Sequence, residues 1–370
     1  MKKILFTATV DSHILTFHLP YLQWFKDQRF EVHVASNGDA NIPFVDKKYN
    51  IPIERSPFKK ANLKALNRFK EIINCNDYHM IHCHTPMGSV LTRLAARKAQ
   101  KNGTKVIYTA HGFHFYNGAP ILNWLMYYPV ERWLSKYTDC LITINNEDFQ
   151  TSNKLHSKVL ELVNGIGVDL NKFVPQTVKS KYELRKKYNF NEGDFILIFV
   201  GELNYNKHQD LLVNVMYLLS KKYSNIKLLL VGDGDYFENY REQVNKLHLQ
   251  EFVLFLGYRN DIRDLLLLSD VSVSSSRREG LPVNVMEAMA TGLPLVVTNC
   301  RGNRDLVMHK KNGFLIGIND IDGFAIAIEK LYQSQTLRET FGINSLEHIH
   351  KYSLETIKKK MQKIYTDLIN

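Results

Sequence analysis

The sequence predicts an α/β chain built of two doubly wound, Rossmann-like domains, and three observations lead there. Short apolar runs alternate with segments of helical spacing along nearly the whole chain, and this alternation starts afresh midway, after a polar stretch. At 370 residues each series has the length of an ordinary domain. A hydrophobic content of 45% with 23% charged residues is a globular balance, so each domain can bury its own core.

In the first series, residues 3–10 (KILFTATV) read as a buried strand, and residues 11–14 open a helix carrying Leu15, Leu19, Leu22, Trp24 and Phe25. Residues 31–35 close a βαβ unit. Ligands of such sheets bind at the carboxyl ends of the strands, which places the loops 9–14 and 36–40 at the binding edge. Residues 80–86 (MIHCHTP) and 105–112 (KVIYTAHG) each read as a strand with a polar tip. His82, Cys83 and His84 are metal-ligand types, but alternation along a strand sends Cys83 to the opposite face, and no metal site is expected from them.

Residues 113–137 are rich in aromatics, with Phe113, Phe115, Tyr116, Trp124, Tyr127, Tyr128 and Trp133, and helix-spaced apolar residues at Leu122, Leu125, Met126 and Val130. Two readings stay open for this segment, a membrane-interface or lipid-acceptor surface and a core helix. Residues 59–70 form a basic amphipathic helix, in which each exposed base contributes about 1 kcal/mol near an anionic leaflet. Residues 138–145 and 162–169 continue the strand series, and the glycines at 165 and 167 mark the end of the first domain.

The polar run 172–187 leads to a second series, with strands at 195–201, 227–231, 253–256, 271–274 and 295–298. A final helix near 354–369 carries Ile357, Met361, Ile364 and Leu368 on one face. The expected division is 1–172 with about 354–370, and 173–353.

A formal charge of +11 favours polyanions, anionic lipid surfaces or phosphorylated small molecules. No zinc-finger spacing, Arg-Gly-rich tail or RNA-binding aromatic motif accompanies it, so nucleic acid is not expected as a partner. The cysteines at 75, 83, 140 and 300 have no paired spacing, which agrees with a reducing compartment and with roles as buried small apolar residues. Lys2-Lys3-Ile4 leads into a strand rather than a signal peptide, and no apolar run approaches a membrane span. The expected location is the cytoplasm, at the inner face of the plasma membrane.

The stretch 274–290, SSSRREGLPVNVMEAMA, runs from a strand through a polar loop into a helix, with Glu279 and Glu287 eight residues apart. Pro282 suits a first helical turn, where its missing N–H costs nothing, and Gly280 lets backbone approach a ligand. Leu281, Pro282 and Val283 line this helix start, whose unpaired N–H groups face an anion. The wording from 278 to 306, REGLPVNVMEAMATGLPLVVTNCRGNRDL, resembles the E-x7-E region of family 4 retaining glycosyltransferases, especially members that build capsules and exopolysaccharides.

The resemblance covers nearly the whole chain and implies the GT-B architecture: two Rossmann-like domains facing a central cleft, an N-terminal acceptor domain, a C-terminal donor domain, and a last helix crossing back to the first. It implies a donor-sugar contact for Glu279, ribose binding for Glu287, and a sugar contact for His111, the strand-end histidine before Gly112. Gly201 to Lys207 matches the family's diphosphate loop, in which Lys207 is retained but Glu202 stands where an Arg is usual. A carboxylate cannot bind phosphate there, so Arg278 is the expected replacement, with Arg301 and Arg304 behind it.

Tyr258 and Arg259 match the loop that reads the base. The first loop carries Asp11 and His13 where many members have glycines, which makes these two acceptor-side candidates. The triplets Asp233-Gly234-Asp235 and Asp320-Ile321-Asp322 look misplaced for a metal on the diphosphate. The implied reaction is retaining, metal-independent and cofactor-free transfer of a hexose-type residue from a nucleotide-sugar, taken as a UDP-sugar, to a lipid-linked or saccharide acceptor in surface-polysaccharide synthesis. The alternatives are a GT-B sugar-nucleotide epimerase and a non-catalytic sugar-nucleotide-binding subunit. Retention of Glu279, Glu287, Lys207 and His111 argues against the latter.

Overall fold

A computed structural model describes residues 1–369, which form two compact units: Met1–Ile166 together with the chain from Ile357 onward, and Gly167–Thr356. Among the described residues the first unit holds a seven-stranded sheet of β1 (Lys3–Val10), β2 (Glu31–Asn37), β3 (Lys47–Asn50), β4 (Tyr78–His84), β5 (Lys105–Ala110), β6 (Cys140–Thr143) and β7 (Val159–Leu162). Every pairing is parallel, in the order β3-β2-β1-β4-β5-β6-β7. The winding therefore reverses between β1 and β4, and a crevice opens there at the strand C-termini.

Helices cover both faces of this sheet, which is why its central strands read as continuous apolar runs. One face packs Ile4, Phe6, Val32 and Ile107 against Phe25 and against Ile357, Met361, Ile364 and Tyr365 of the final helix, Leu354–Ile369. The spacing that predicted this helix is thus a buried stripe. The other face packs Leu5, Ile81 and Val106 against Ala65, Phe69, Ile72 and Ile73 of the helix Ala61–Asn74. That helix is amphipathic as expected, but most of its apolar face belongs to the core, and Lys64, Arg68 and Lys70 face outward together with Leu63, Asn67 and Glu71.

The second unit holds, among the described residues, a six-stranded sheet: β8 (Phe195–Val200), β9 (Ile226–Val231), β10 (Val253–Gly257), β11 (Val271–Ser274), β12 (Leu295–Thr298) and β13 (Gly313–Ile316). Its order, β10-β9-β8-β11-β12-β13, is again all parallel and reverses between β8 and β11. The core runs from Leu197, Phe199 and Leu230 to Leu212, Met216, Phe324 and Ile328 on flanking helices.

Three expectations need correction. The strand expected to run from 162 into a glycine-bearing turn lies earlier, at Val159–Leu162, while the turn is present, with Gly165 and Gly167 at φ of +80° and +85°. Strands β3 and β13 were not foreseen: β3 is a polar, half-exposed edge strand, and β13 follows a turn with little apolar sequence before it. Cys75 is exposed rather than buried, whereas Cys83, Cys140 and Cys300 are buried as expected.

Candidate active site

In the second unit, the loops leaving β8 and β11 start from neighbouring strands at the winding reversal, and several contacts stitch them together. The Arg277 N–H donates to the Asn206 carbonyl at 2.8 Å, the Asn206 side-chain amide to the Arg278 carbonyl at 3.1 Å, and the Ser275 hydroxyl to the Lys207 carbonyl at 2.8 Å. This alignment brings Lys207 Nζ to 2.7 Å from Glu279 Oε1, both side chains being largely shielded from solvent. Two residues 72 positions apart thus meet as one half-buried ion pair.

Glycines allow the close approach. A Cβ on Gly232 (φ +141°) would lie 2.0 Å from the Gly201 carbonyl oxygen, and one on Gly302 (φ +74°) would lie 2.5 Å from that of Gly280. Any other residue at either position would push the loops apart. The helix Val283–Ala290 follows with Pro282 as its N-cap, and the Asn284 side chain ties its first turn to the end of β8 by donating to the Val200 carbonyl at 2.6 Å. The free N–H groups of that turn lie beside the glycine loop.

Glu287 lies in the second turn of the same helix. Among the described residues its carboxylate has no hydrogen-bond or ion-pair partner, and burial pushes its pKa up to about 7 against a partial offset from Lys172. A shielded carboxylate in this condition gains from any ligand that offers hydroxyl donors.

The arginines differ in their freedom. Arg277 is pinned, with its guanidinium 4.5 Å over the Tyr205 ring and its Nε donating to the Tyr205 carbonyl. Arg301 is buried and donates from Nε to the Glu279 carbonyl at 2.9 Å, so it shapes the loop rather than facing outward. Arg304 is exposed and donates to the Asn299 carbonyl. Arg278 is exposed, and among the described residues its guanidinium has no partner. Glu202 is exposed and accepts from the Asn204 amide, while Tyr258 is 79% exposed just past β10. Arg259 is held by Asp261 through Nε at 2.8 Å. Asp320 caps the helix Ile321–Gln333 by accepting from the Gly323 N–H, and Asp233 accepts from the Gly234 N–H, which gives both triplets ordinary local roles.

In the first unit the C-terminal ends of β1, β4 and β5 bring His13, His18, His84 and His111 together. His111 Nε2 lies 3.5 Å from His84 Nδ1. Burial lowers the pKa of all four, His13 to about 4, so these imidazoles are neutral near pH 7. His82 is a neighbour with its bonds filled, between Tyr365 Oη at 2.9 Å and Thr109 Oγ1 at 2.8 Å. Cys83 points to the other face, as alternation requires, and joins the Tyr108 and Phe113 cluster. Asp11 is occupied by Ser36 Oγ, the Ala40 N–H and Lys48 Nζ, which makes it the brace of the loop 36–40. His13 also borders a cavity of about 450 Å³ lined by Thr9, Thr16, Arg55, Thr85 and His114.

Two family models match this chain, Glycosyl transferase 4-like over residues 3–145 and Glycosyl transferases group 1 over residues 180–348. The putative glycosyltransferase EpsD of Bacillus subtilis is 46% identical over 99% of this chain and 96% of its own. The chain belongs to the family 4 glycosyltransferases. A second relative, the UDP-Gal:alpha-D-GlcNAc-diphosphoundecaprenol alpha-1,3-galactosyltransferase of Escherichia coli, is 30% identical over 83% of this chain and 80% of its own. Among solved structures, HepE of Anabaena in complex with UDP and glucose superposes with a TM-score of 0.79, covering 99% of this chain and all of that one at 19% identity, which shows the GT-B fold.

This glycosyltransferase therefore assembles its sequence motifs in two places. Glu279, Lys207 and Gly201 gather at the ends of β8 and β11, with Glu287 on the helix that follows, while His111 and His13 gather at the ends of β1 and β5. Asn206, Ser275 and Arg277, which stitch the second-unit loops, carry no motif of their own. His18 also escaped sequence reasoning, since a histidine between two short helices gives no signal until the strand order is known.

Proposed function

We propose that this glycosyltransferase moves a hexose-type residue from a UDP-sugar to a lipid-linked or saccharide acceptor, with retention, during surface-polysaccharide assembly. The observation that carries the reading is the half-buried Lys207–Glu279 pair beside a helix start and a glycine loop, where a diphosphate and the sugar it bears find cation, N–H donors and carboxylate together. The donor assignment is supported by the UDP and glucose of the Anabaena complex, and the lipid-linked acceptor by the diphosphoundecaprenol substrate in the name of the Escherichia coli relative.

On this reading Glu287 accepts the ribose hydroxyls, Leu281 to Val283 and Gly201 line the phosphates, and Tyr258 and Arg259 flank the base. The bond from the anomeric carbon to the diphosphate breaks on the face where the acceptor hydroxyl enters, the new glycosidic bond forms on that same face, and the departing diphosphate takes the acceptor proton. Lys207, Arg278 and the helix start stabilise the departing charge, so neither a metal ion on the diphosphate nor a cofactor is needed. Glu279 and His111 position the sugar and ease charge development at its ring. His13 lines the acceptor cavity, with Asp11 holding the adjoining loop.

A membrane contact on the acceptor side is supported by the helix Ile121–Leu134, which is inverted relative to a surface helix of a globular domain. It buries Glu131 in a bidentate pair with Arg93 at 2.5 and 3.0 Å, while Ile121 (78%), Leu125 (67%), Leu122, Met126, Val130 and Trp133 are exposed. Arg132 and Lys136 flank this apolar face and suit an anionic leaflet. Among the described residues no helix is long and apolar enough to cross a membrane, so the proposed contact is peripheral.

The deciding experiment screens UDP-sugars against polyprenyl-diphosphate saccharides and follows UDP release together with a glycosylated lipid of retained configuration. Epimerised donor in the absence of acceptor would overturn the transferase reading in favour of an epimerase, and a covalent glycosyl-enzyme on Glu279 would overturn the front-face mechanism.

A further inference from the structure

The histidines at the ends of β1, β4 and β5 are more than the proposed transfer uses. Among the described residues, His13, His18, His84 and His111 each offer a ring nitrogen, and these atoms all lie within 4.8 Å of one another. His13 Nε2, His84 Nε2 and both nitrogens of His18 are buried without a hydrogen-bond partner. A buried nitrogen left without a partner is costly and gains from any group that engages it. His18 is the sharpest case, because it is 3% exposed and makes no polar contact at either nitrogen. Its ring packs against those of His84 at 3.8 Å and His13 at 5.1 Å between centroids.

The geometry suits a small cation. Tetrahedral coordination with metal–nitrogen bonds of about 2.0–2.1 Å sets neighbouring ligand atoms about 3.4 Å apart. His111 Nε2 and His84 Nδ1 are 3.5 Å apart, and one ring nitrogen from each of the four lies within 4.8 Å of the others. A cavity beside His18, His84 and His111, also lined by Thr109 and Gly165, has about 20 Å³ of room for the centre of a water-sized sphere, space for one ion or one water.

We propose that His13, His18, His84 and His111 form a binding site for one divalent transition-metal ion of the class that prefers imidazole, Zn²⁺, Ni²⁺ or Cu²⁺. Among the described residues no carboxylate or carbonyl orients the free nitrogens of His18, so the second tier of support usual around a ligand is missing there. The expectation of no metal site rested on alternation within β4, which says nothing of residues brought from three strand ends.

The test uses the full chain without an affinity tag of histidines and without donor, so it does not depend on the transfer reading. Titration with Co²⁺ is expected to give one equivalent bound, with the intense visible absorption of a tetrahedral nitrogen site, displaced by Zn²⁺. Changes in groups that only orient ligands already cost about 10–100-fold in affinity, so His18→Phe should weaken binding by at least about 100-fold. His13→Ala, at a less buried position whose variant keeps the core intact, should also weaken it measurably. His82→Gln, which removes no ligand, should bind as the parent does. Absence of Co²⁺ absorption and of stoichiometric Zn²⁺ uptake, or parent-like binding by folded His13→Ala, would overturn the site and leave a buried water as the partner of these nitrogens.

Discussion

The two units place chemistry at the same topological point, the strand ends flanking the reversal of winding, yet they fill it in opposite ways. At the ends of β8 and β11 the groups are charged and already paired, Lys207 with Glu279, on loops stitched by cross-strand hydrogen bonds. At the ends of β1, β4 and β5 they are neutral imidazoles, several with no partner. A charged site needs pairing to survive partial burial without its ligand, whereas a neutral one tolerates open valences at a smaller cost. The contrast fits the proposed division, with nucleotide binding in the second unit and adjustable contacts in the first.

The largest effect that tests this division is expected from Lys207→Ala. It removes the diphosphate cation and leaves Glu279 unpaired, so kcat/KM should fall about 100- to 1000-fold, as for other groups that stabilise developing charge. UDP affinity, measured by calorimetry, should fall with it. His111→Ala should instead lower kcat about 10- to 100-fold, in the range of a positioned acid–base or polar group, and leave UDP affinity within about twofold. Equal loss of UDP binding in both variants would break the comparison.

Glu287 gives a sharper, pH-resolved version. Burial pushes its carboxyl up to about 7, and ribose hydroxyls donate more strongly to the ionised form, so the donor KM should fall as pH rises from 6 to 8. The ionised fraction changes about tenfold across that interval. A UDP-sugar is a diphosphate diester and keeps its charge there, and burial lowers the pKa of the clustered His13, His18, His84 and His111, His13 to about 4. Glu287→Gln should flatten the profile at a weaker affinity, and an unchanged pH dependence in this variant would remove Glu287 from the ribose.

How much of this was legible in sequence follows from how local each feature is. The second-unit candidate site sits in one stretch, 277–287, plus one loop ending at Lys207; patterning shows its strand, loop and helix start, while the roles of its residues rest on the resemblance to the family. The stitching by Asn206 and Ser275 depends on β8 and β11 being neighbours, a fact of strand order that no local pattern carries. The same reason hid the histidine cluster, whose members are separated by up to 98 positions, from His13 to His111. The aromatic segment was readable as a helix but not in its orientation, because that orientation is set by the buried pair of Glu131 with Arg93, 38 residues away.

A moderate effect is expected at that helix. Exchanging Leu125 and Val130 for Asn removes two exposed apolar side chains, each contributing about 1 kcal/mol when only partly buried in an interface. Binding to vesicles containing anionic lipid should weaken about 10- to 30-fold, while UDP affinity, a second-unit property, stays unchanged. Parent-like vesicle binding would show that this face serves something other than a membrane.

The smallest effect, about 5- to 10-fold in UDP affinity, is expected from Arg278→Ala. Glu202 occupies the position where an arginine would complete the clamp, Arg277 is committed to Tyr205, and Arg301 is spent under the Glu279 carbonyl. That leaves Arg278 as the unengaged guanidinium of the loop, but an exposed one. An exposed contact to phosphate is screened by salt far more than a half-buried one. The loss in Arg278→Ala should therefore shrink as ionic strength rises from about 0.05 to 0.5 M, whereas that in Lys207→Ala should persist. If the two variants instead lose affinity equally and with the same salt dependence, Arg278 closes onto the diphosphate as completely as Lys207 does, and the second unit is less preassembled than its ion pair implies.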